Sequence, residues 1–351
     1  MSEWSFLLAP LAVLAILSLV RFIGCASFTT ADNPTVETTP GPTGQAVADY
    51  SGTVKADIPV SYWRLQEKHV AEPSSAPTVP NTPVAGGKAK DEMAHNEGTY
   101  KAVIVQPPAP PPPPTPPPFP PDSPSAPGGL SLEAAGLLEL PGQQSTSLKI
   151  DGGYVEVPFS TSLKLNSFTV EALVRPEWSA GETGLFRTVI TLCSVNLTPA
   201  SKKAFGFGIF AGPDPGAPAG PPVWQIWLGD GTDFKPIKDP SRSLTPVDFT
   251  KTNYVGVTYD DTSHKLNMYV YVPGIDLDSG VGHPVKDIAV TPFSPVSDAT
   301  QSLLIGMHRP PVGSPLPLYH PFKGRIQEVA VYNKALPIGR VASHIMAGLN
   351  L

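Results

Sequence analysis

The feature that most constrains this chain is a proline tract from Pro107 to Pro124, with the sequence PPAPPPPPTPPPFPPDSP. Proline lacks a backbone N–H donor and fixes φ, so neither an α-helix nor the ladder of a β-sheet continues through such a segment. The tract therefore predicts an extended polyproline II insertion at residues 106–128. Any folded core must be assembled from the residues on either side of it, as two domains or as one.

The first 25 residues predict attachment to a membrane. The segment from Trp4 to Ile23 is almost wholly apolar, and roughly 20 such residues span a bilayer. Three interpretations stay open: an uncleaved transmembrane anchor, a lipoprotein-type signal in which Cys25 is the lipidated residue, and a cleaved secretory signal. Residues 26–45, rich in Thr, Pro and Gly, predict a flexible linker.

Charge and cysteine content exclude several function classes. The formal net charge is −6, only 15% of residues are charged, and the chain has no basic run. Because binding to phosphate backbones needs clustered Lys and Arg, nucleic acid is not expected as a partner. Cys25 and Cys193 form neither a disulfide framework nor a zinc motif. Cys193, within the apolar run TVITLCSV, predicts a buried and inert thiol.

After residue 129, short alternating segments predict an all-β fold. In SFTVEALVRP (167–176), the apolar residues Phe168, Val170 and Val174 share one face. The strand NYVGVTY (253–259) is followed by HKLNMYVYVPG (264–274), and the five residues between their cores predict a hairpin. Other strands are expected at 153–158, 185–193, 204–210, 223–229, 302–307 and 324–332. One amphipathic helix is expected after the last strand, from Ile338 onward.

Two patches before the proline tract also read as strands. They are IPVSYWRLQE (58–67) and NEGTYKAVIV (96–105). Together with two later segments, they carry a resemblance to a known family.

Four segments of the chain resemble, in the same order, segments of the laminin G-like jelly roll of the concanavalin A-like lectin/glucanase superfamily. These are SYWRLQE (61–67), DEMAHNEGTY (91–100), SLKIDGGYVEVPFSTSLKLNSFTVEALVRP (147–176) and FKGRIQEVAVYNKALPIGRVASHIMAG (322–348). The resemblance implies an all-β, two-sheet antiparallel jelly-roll sandwich with a short C-terminal helix over residues 46–351, interrupted by the proline insertion. In that family the first strand pairs beside the last. A domain boundary within 107–128 is the rival interpretation.

The resemblance also bears on catalysis and on metal. Relatives that cleave polysaccharides carry paired carboxylates as ExDxE on one strand, and this sequence has no such triplet and no GxSxG nucleophile motif. We therefore predict no catalytic residues. Relatives often hold a structural calcium ion through an acidic residue where this chain has Gln327, with Asp151 and Glu156 as remaining oxygen donors. A calcium site is possible by that resemblance, and no residue is assigned to it as a ligand.

Sugar-binding sites in such folds usually present aromatic rings beside polar groups. Trp227 beside Gln225, and Tyr269 and Tyr271 beside Asn267, are the candidates, because alternation places each set opposite the more aliphatic face of its strand. Packing against a second layer, or ordinary surface exposure, is the alternative explanation for these rings. On the same alternation, Trp224 is expected in the core.

The sequence as a whole predicts a non-catalytic binding module, anchored in a membrane and displayed outside the cytoplasm, that recognises a glycan or a cell-surface protein. The surface location is implied by the type of domain. Two alternatives remain: a structural component of the cell envelope that makes protein contacts only, and an atypical polysaccharide hydrolase.

Overall fold

The computed structural model describes residues 49–67, 87–101, 129–138, 145–178, 185–198, 201–218, 220–237, 245–273, 285–309, 311 and 320–349. All of them fall within one compact unit, Val47–Leu351. The expected membrane segment 1–25 with Cys25, the linker 26–45 and the proline insertion 106–128 lie outside the described residues. Within the described ranges, no helix combines the length and the apolar character needed to cross a bilayer.

The described residues form two antiparallel sheets. Sheet A has the order β14-β13-β12-β7-β16-β5-β4, and β1 also pairs with β16. Its strands are β1 (Ser61–Trp63), β4 (Leu130–Ala135), β5 (Thr146–Asp151), β7 (Phe168–Pro176), β12 (Asn253–Asp260), β13 (Lys265–Tyr271), β14 (Val285–Ala289) and β16 (Lys323–Tyr332).

Sheet B has the order β11-β10-β9-β8-β15-β6-β3-β2. Its strands are β2 (Lys88–Ala89), β3 (Gly98–Lys101), β6 (Tyr154–Val157), β8 (Arg187–Thr198), β9 (Ser201–Gly212), β10 (Val223–Gly229), β11 (Phe234–Pro236) and β15 (Leu303–Ile305). A single 3-10 turn, Thr161–Leu163, is described between β6 and β7. The predicted β-sandwich class is therefore confirmed, with several short strands that the sequence pattern did not reveal.

A large apolar core contains residues of both sheets. Phe168, Val170 and Val174 of β7 belong to it, as does Trp224 of β10, which is 0% exposed. The predicted β12–β13 hairpin is confirmed by a continuous register from Tyr254 opposite Tyr271 to Asp260 opposite Lys265. Strand alternation thus predicted correctly which side chains of these strands are buried between the layers.

The segment before the proline insertion pairs directly with the end of the chain. Ser61 lies opposite Val331 and Trp63 opposite Val329, and β3 pairs with β6 of sheet B. The buried carboxylate of Asp91 accepts a hydrogen bond from the Tyr62 backbone N–H at 2.8 Å. Strands β1 and β5 therefore pair with successive parts of the same edge of β16.

Two helices lie on the outer side of sheet A. Helix α2 (Ile338–Leu349) confirms the predicted C-terminal helix. Helix α1 (Tyr50–Ala56) was not expected from the sequence; it begins after Asp49, whose carboxylate accepts from the Ser51 N–H at 3.2 Å as an N-cap. Tyr50 and Val54, one turn apart, are fully buried.

Candidate functional site

The outer face of sheet B carries a connected group of aromatic rings, which we call the aromatic patch. Trp227 faces outward, because its strand neighbours Ile226 and Leu228 point into the core. It lies at the centre of the patch. Centroid distances from Trp227 are 5.6 Å to Phe186, 5.7 Å to Phe210 and 5.8 Å to Phe234. The members of the patch are Phe186, Phe210, Trp227, Phe234, His308 and His320.

Glycines on β9 make room for these rings. A Cβ atom on Gly208 would lie 2.5 Å from the ring of Phe210, and one on Gly212 would lie 2.4 Å from the ring of Phe186. Real Cβ atoms do not approach that closely, so the rings rest against bare backbone at these positions. The alternation of Gly and Phe in AFGFGIFAG is the sequence signal of this arrangement.

Trp227 is half-buried and held in place by hydrogen bonds. Its Nε1 donates to Oε1 of Gln225 at 3.1 Å, and Nε2 of Gln225 donates to the Pro213 carbonyl at 2.7 Å. Gln225 is itself fully buried. The structure thus brings together the predicted pair Trp227 and Gln225, with Gln225 orienting the indole rather than facing solvent. Phe186, Phe234 and His320 are half-buried around it.

The patch is close to a buried thiol and imidazole. Sγ of Cys193 lies 3.7 Å from Nδ1 of His308, and the two side chains are 4% and 5% exposed. Burial raises the pKa of Cys193 to about 12, and burial, with His320 and Arg309 nearby, lowers the pKa of His308 to about 3. Both groups are therefore neutral near pH 7, and the pair lacks the thiolate that a cysteine nucleophile requires. The predicted burial of Cys193 is confirmed.

The other predicted ligand-binding residues are placed differently. Tyr269 and Tyr271 are 4% and 3% exposed, and they pack in one apolar cluster with Val341 and Ile345 of α2. They do point away from the aliphatic face of β13, as alternation predicts, but the helices cover that side of sheet A. The assignment of these two rings to an open binding face is therefore corrected. Asn267, two residues away, is half-buried and lies on this sheet, apart from the strand that carries Trp227.

Beneath the helices, sheet A holds a buried carboxylate on β7. Glu171 is 0% exposed and accepts hydrogen bonds from the hydroxyls of Tyr254 at 2.5 Å and Tyr332 at 2.9 Å. Nδ1 of His344 lies 2.9 Å from it, and Nε2 of the same ring lies 2.9 Å from Oδ2 of Asp57. Full burial closes this cluster to ligands, so it joins helices to the sheet rather than forming a site.

A second buried carboxylate, Glu328, occupies the bulge of β16. The register of β16 against β7 shifts between Gln327 and Ala330, and Glu328 has a φ of 56°, in the left-handed region. Its carboxylate accepts from the Tyr62 hydroxyl and from Nε2 of Gln66 at 2.5 Å. Burial raises the pKa of Glu328, although Arg64 and the hydrogen bonds from Tyr62 and Gln327 oppose that effect.

The oxygen donors considered for calcium do not converge. Gln327 is fully buried, with Oε1 accepting from the Leu137 N–H at 2.6 Å and Nε2 donating to Glu328 at 3.1 Å. Asp151 is exposed, while Glu156 is bound by Ser302 at 3.0 Å. Over the ranges described, no group of three or more His, Cys, Asp or Glu side chains is arranged to hold a metal ion.

A shallow groove of about 270 Å³ opens beside β8 and β9. Phe205 and Val296 supply its apolar side, and Ser194, Lys203 and Asp298 are among its polar lining residues. Lys203 and Asp298 are exposed. With Phe205 as the one ring among its lining residues, the groove offers less aromatic surface than the aromatic patch.

The sheets and their pairing define an antiparallel two-sheet β-sandwich. No family model matches the sequence, and no curated protein matches it significantly. Several solved structures resemble parts of it. The CBM40 module of the Ruminococcus gnavus IT-sialidase, bound to α2,3-sialyllactose, is 15% identical over 52% of this chain and 84% of that chain, with a TM-score of 0.34.

Two other solved structures have similar scores. A putative carbohydrate-binding protein from Bacteroides ovatus is 20% identical over 54% of this chain and 43% of that chain, with a TM-score of 0.34. The heptameric SAP-like pentraxin of Limulus polyphemus is 13% identical over 52% of this chain and 70% of that chain, with a TM-score of 0.32. Similarities this low establish no family for the chain.

Proposed function

We propose that this chain is a non-catalytic module that binds carbohydrate through the aromatic patch of sheet B. The sandwich is of the laminin G-like, concanavalin A-like type in this proposal, and the apolar segment 1–25 holds it at a membrane with the sandwich outside the cytoplasm. One observation carries the binding role: the indole of Trp227 is half-buried, oriented by Gln225 at 3.1 Å and flanked by other half-buried rings.

Two physical reasons support sugar as the ligand class. Aromatic side chains supply a large rigid apolar face, which suits the C–H face of a pyranose ring. An indole that is already hydrogen-bonded loses little conformational freedom when a ligand packs on it, so less of the binding free energy is lost to ordering. The buried carboxylates Glu171 and Glu328 lie under or within sheet A, away from the patch, which favours binding without hydrolysis.

The test is a glycan array probed with the full-length protein in detergent, followed by calorimetry on the best ligand. We expect Trp227→Ala to weaken binding about tenfold or more. A ring contact contributes about 0.5–1.5 kcal/mol beyond the apolar area that it buries, and about 1.4 kcal/mol corresponds to tenfold in affinity.

The matched control is Tyr154→Ala. Tyr154 is a half-buried ring on sheet B, on a strand that does not contribute to the aromatic patch. The Tyr154→Ala variant should bind the same glycan with the affinity of the unmodified chain. Equal affinity of the Trp227→Ala variant, or an array on which nothing binds, would refute the proposed function.

A further inference from the structure

The charges beside the aromatic patch bear on which carbohydrates it accepts. Asp230 and Asp233 lie in the turn between β10 and β11, next to Phe234 of the patch. Nζ of Lys235 is 2.9 Å from Oδ2 of Asp230. Burial alone would raise the pKa of Asp230. This ion pair and the hydrogen bonds from the N–H groups of Asp233 and Thr232 outweigh that effect, so the pKa of Asp230 is lowered. The pair is therefore close to neutral overall, and the exposed Asp233 adds a negative charge.

The nearby cationic side chains are engaged elsewhere. Arg187 is 6% exposed; its Nη1 donates to the Pro321 carbonyl at 3.1 Å, and its guanidinium lies 5.9 Å from the ring of Trp178. Nη2 of Arg309 is 3.5 Å from a carboxylate oxygen of Glu156. Each of these two guanidinium groups therefore already has an oxygen nearby, and Nε of Arg309 is buried.

The geometry of the rings adds a second restriction. The plane of Trp227 makes an angle of 85° with Phe186, 62° with Phe210 and 43° with Phe234. Binding to the flat face of an insoluble polysaccharide needs neighbouring rings that are coplanar, and these are not. The patch instead presents rings at several angles, which fits a single flexible chain whose sugar units can turn relative to one another.

We propose that the aromatic patch selects neutral, soluble oligosaccharides over acidic glycans and over insoluble polysaccharide surfaces. The inference rests on the proposed function, since it names the ligand class of the same patch. A carboxylate-bearing sugar would be desolvated beside the negatively charged Asp233, while the two nearby guanidinium groups already have oxygen partners, and that is unfavourable.

The experiment compares matched glycans with the full-length protein. Pairs that share one core and differ only by a terminal sialic acid or a uronic acid are titrated at about 0.05 M and about 0.5 M NaCl, a range over which exposed charges become strongly screened. We expect the neutral member to bind at least fivefold more tightly, with less than a twofold change in affinity between the two salt concentrations. Sedimentation with microcrystalline cellulose and with chitin should leave the protein in solution.

The Asp233→Asn variant tests the cause of the selectivity. It should bind acidic glycans two- to threefold more tightly than the unmodified chain and leave neutral binding unchanged. Asp260→Asn is the matched control, because Asp260 also lies at a turn, on sheet A; it should change neither.

The outcomes separate this inference from the proposed function. Preferred binding of acidic glycans that weakens with salt and is lost in Trp227→Ala would overturn the inference and leave carbohydrate binding at the patch intact. Capture on insoluble polysaccharide that depends on Trp227 would do the same. Absence of any glycan binding, or binding indifferent to Trp227, would refute the proposed function itself.

Discussion

Gly206 shows how single residues shape the floor of the aromatic patch. It lies opposite Cys193 in the β8–β9 pair, with a φ of 90°. A Cβ atom there would lie 1.9 Å from the Leu192 carbonyl oxygen, which is backbone and cannot move aside cheaply. Strain of this kind costs about 1–3 kcal/mol, and overpacking adds to it. We expect Gly206→Ala to lower the free energy of unfolding by at least about 2 kcal/mol in denaturant titrations.

Gly339 provides the opposite case in the same experiment. It lies in α2, and a Cβ atom at this position would meet nothing within 4 Å. Gly339→Ala should raise the stability by about 0.5–1 kcal/mol, because glycine is a poor helix former. Equal stabilities of the two variants would contradict the conformational argument for Gly206.

Residue-scale prediction from sequence succeeded where only strand parity mattered. Trp224 and Trp227, three positions apart on β10, were correctly assigned to opposite faces: the structure buries the first and leaves the second half-buried. Parity also placed Tyr269 and Tyr271 on one face. It does not reveal what covers that face, because the contact with α2 joins residues about 70 positions apart. For the same reason, Phe186 and His308 were not predicted as members of the aromatic patch.

At the scale of elements, His344 joins α2 to both β7 and α1. Its side chain is 0% exposed, with Glu171 of β7 and Asp57 at the end of α1 on its two ring nitrogens. Nε of Arg340 lies 2.8 Å from the same Asp57, and the rings of Tyr50 and Tyr332 lie beside the imidazole. Burial disfavours charge on His344, but the two carboxylates outweigh it, so its pKa is raised above 6.5.

This arrangement predicts a loss of stability at alkaline pH. A group whose pKa is raised on folding stabilises the folded state fully below its unfolded value, and that contribution disappears as the pH rises through the folded value. The free energy of unfolding should therefore decrease as the pH rises above 6.5. Denaturant titrations between about pH 6 and pH 9 measure this slope, which arises because the folded state still binds a proton that the unfolded state has released.

Substitution of the histidine identifies the source of that slope. His344→Gln should be less stable at pH 6 and should show a flatter dependence on pH. The control His95→Gln changes an exposed histidine and should keep the slope of the unmodified chain. A slope that persists in His344→Gln would mean that another group, such as Glu328 with its raised pKa, is responsible.

The element that sequence reasoning missed is α1. It has only seven residues, and its sequence YSGTVKA contains a glycine and two β-branched residues, all of which disfavour an isolated helix. The helix is stabilised by burial of Tyr50 and Val54 against sheet A and by contact with α2. Tertiary packing of this kind leaves no local periodicity to detect. Helix α2, with 12 residues and a clear apolar stripe, was predicted.

At the scale of the whole molecule, the two parts of the chain on either side of the proline insertion share one structure. Strand β1 lies on β16, strand β3 on β6, and α1 against α2. Trp63 of β1 is fully buried in the main core, and Nε1 of its ring donates to the Asn96 carbonyl at 2.8 Å. A cut within residues 106–128 would therefore break no described contact.

A protease site placed within 106–128 tests this interlocking directly. After complete cleavage, we expect the two fragments to migrate together under native conditions and to unfold in one transition, because their contacts replace the covalent link. The lost link costs only loop-closure entropy, which grows slowly with loop length. The same cleavage in Trp63→Ala should release the front fragment, since emptying a buried tryptophan site costs about 3–5 kcal/mol. Fragments of the unmodified chain that separate without denaturant would instead establish a domain boundary in the proline tract.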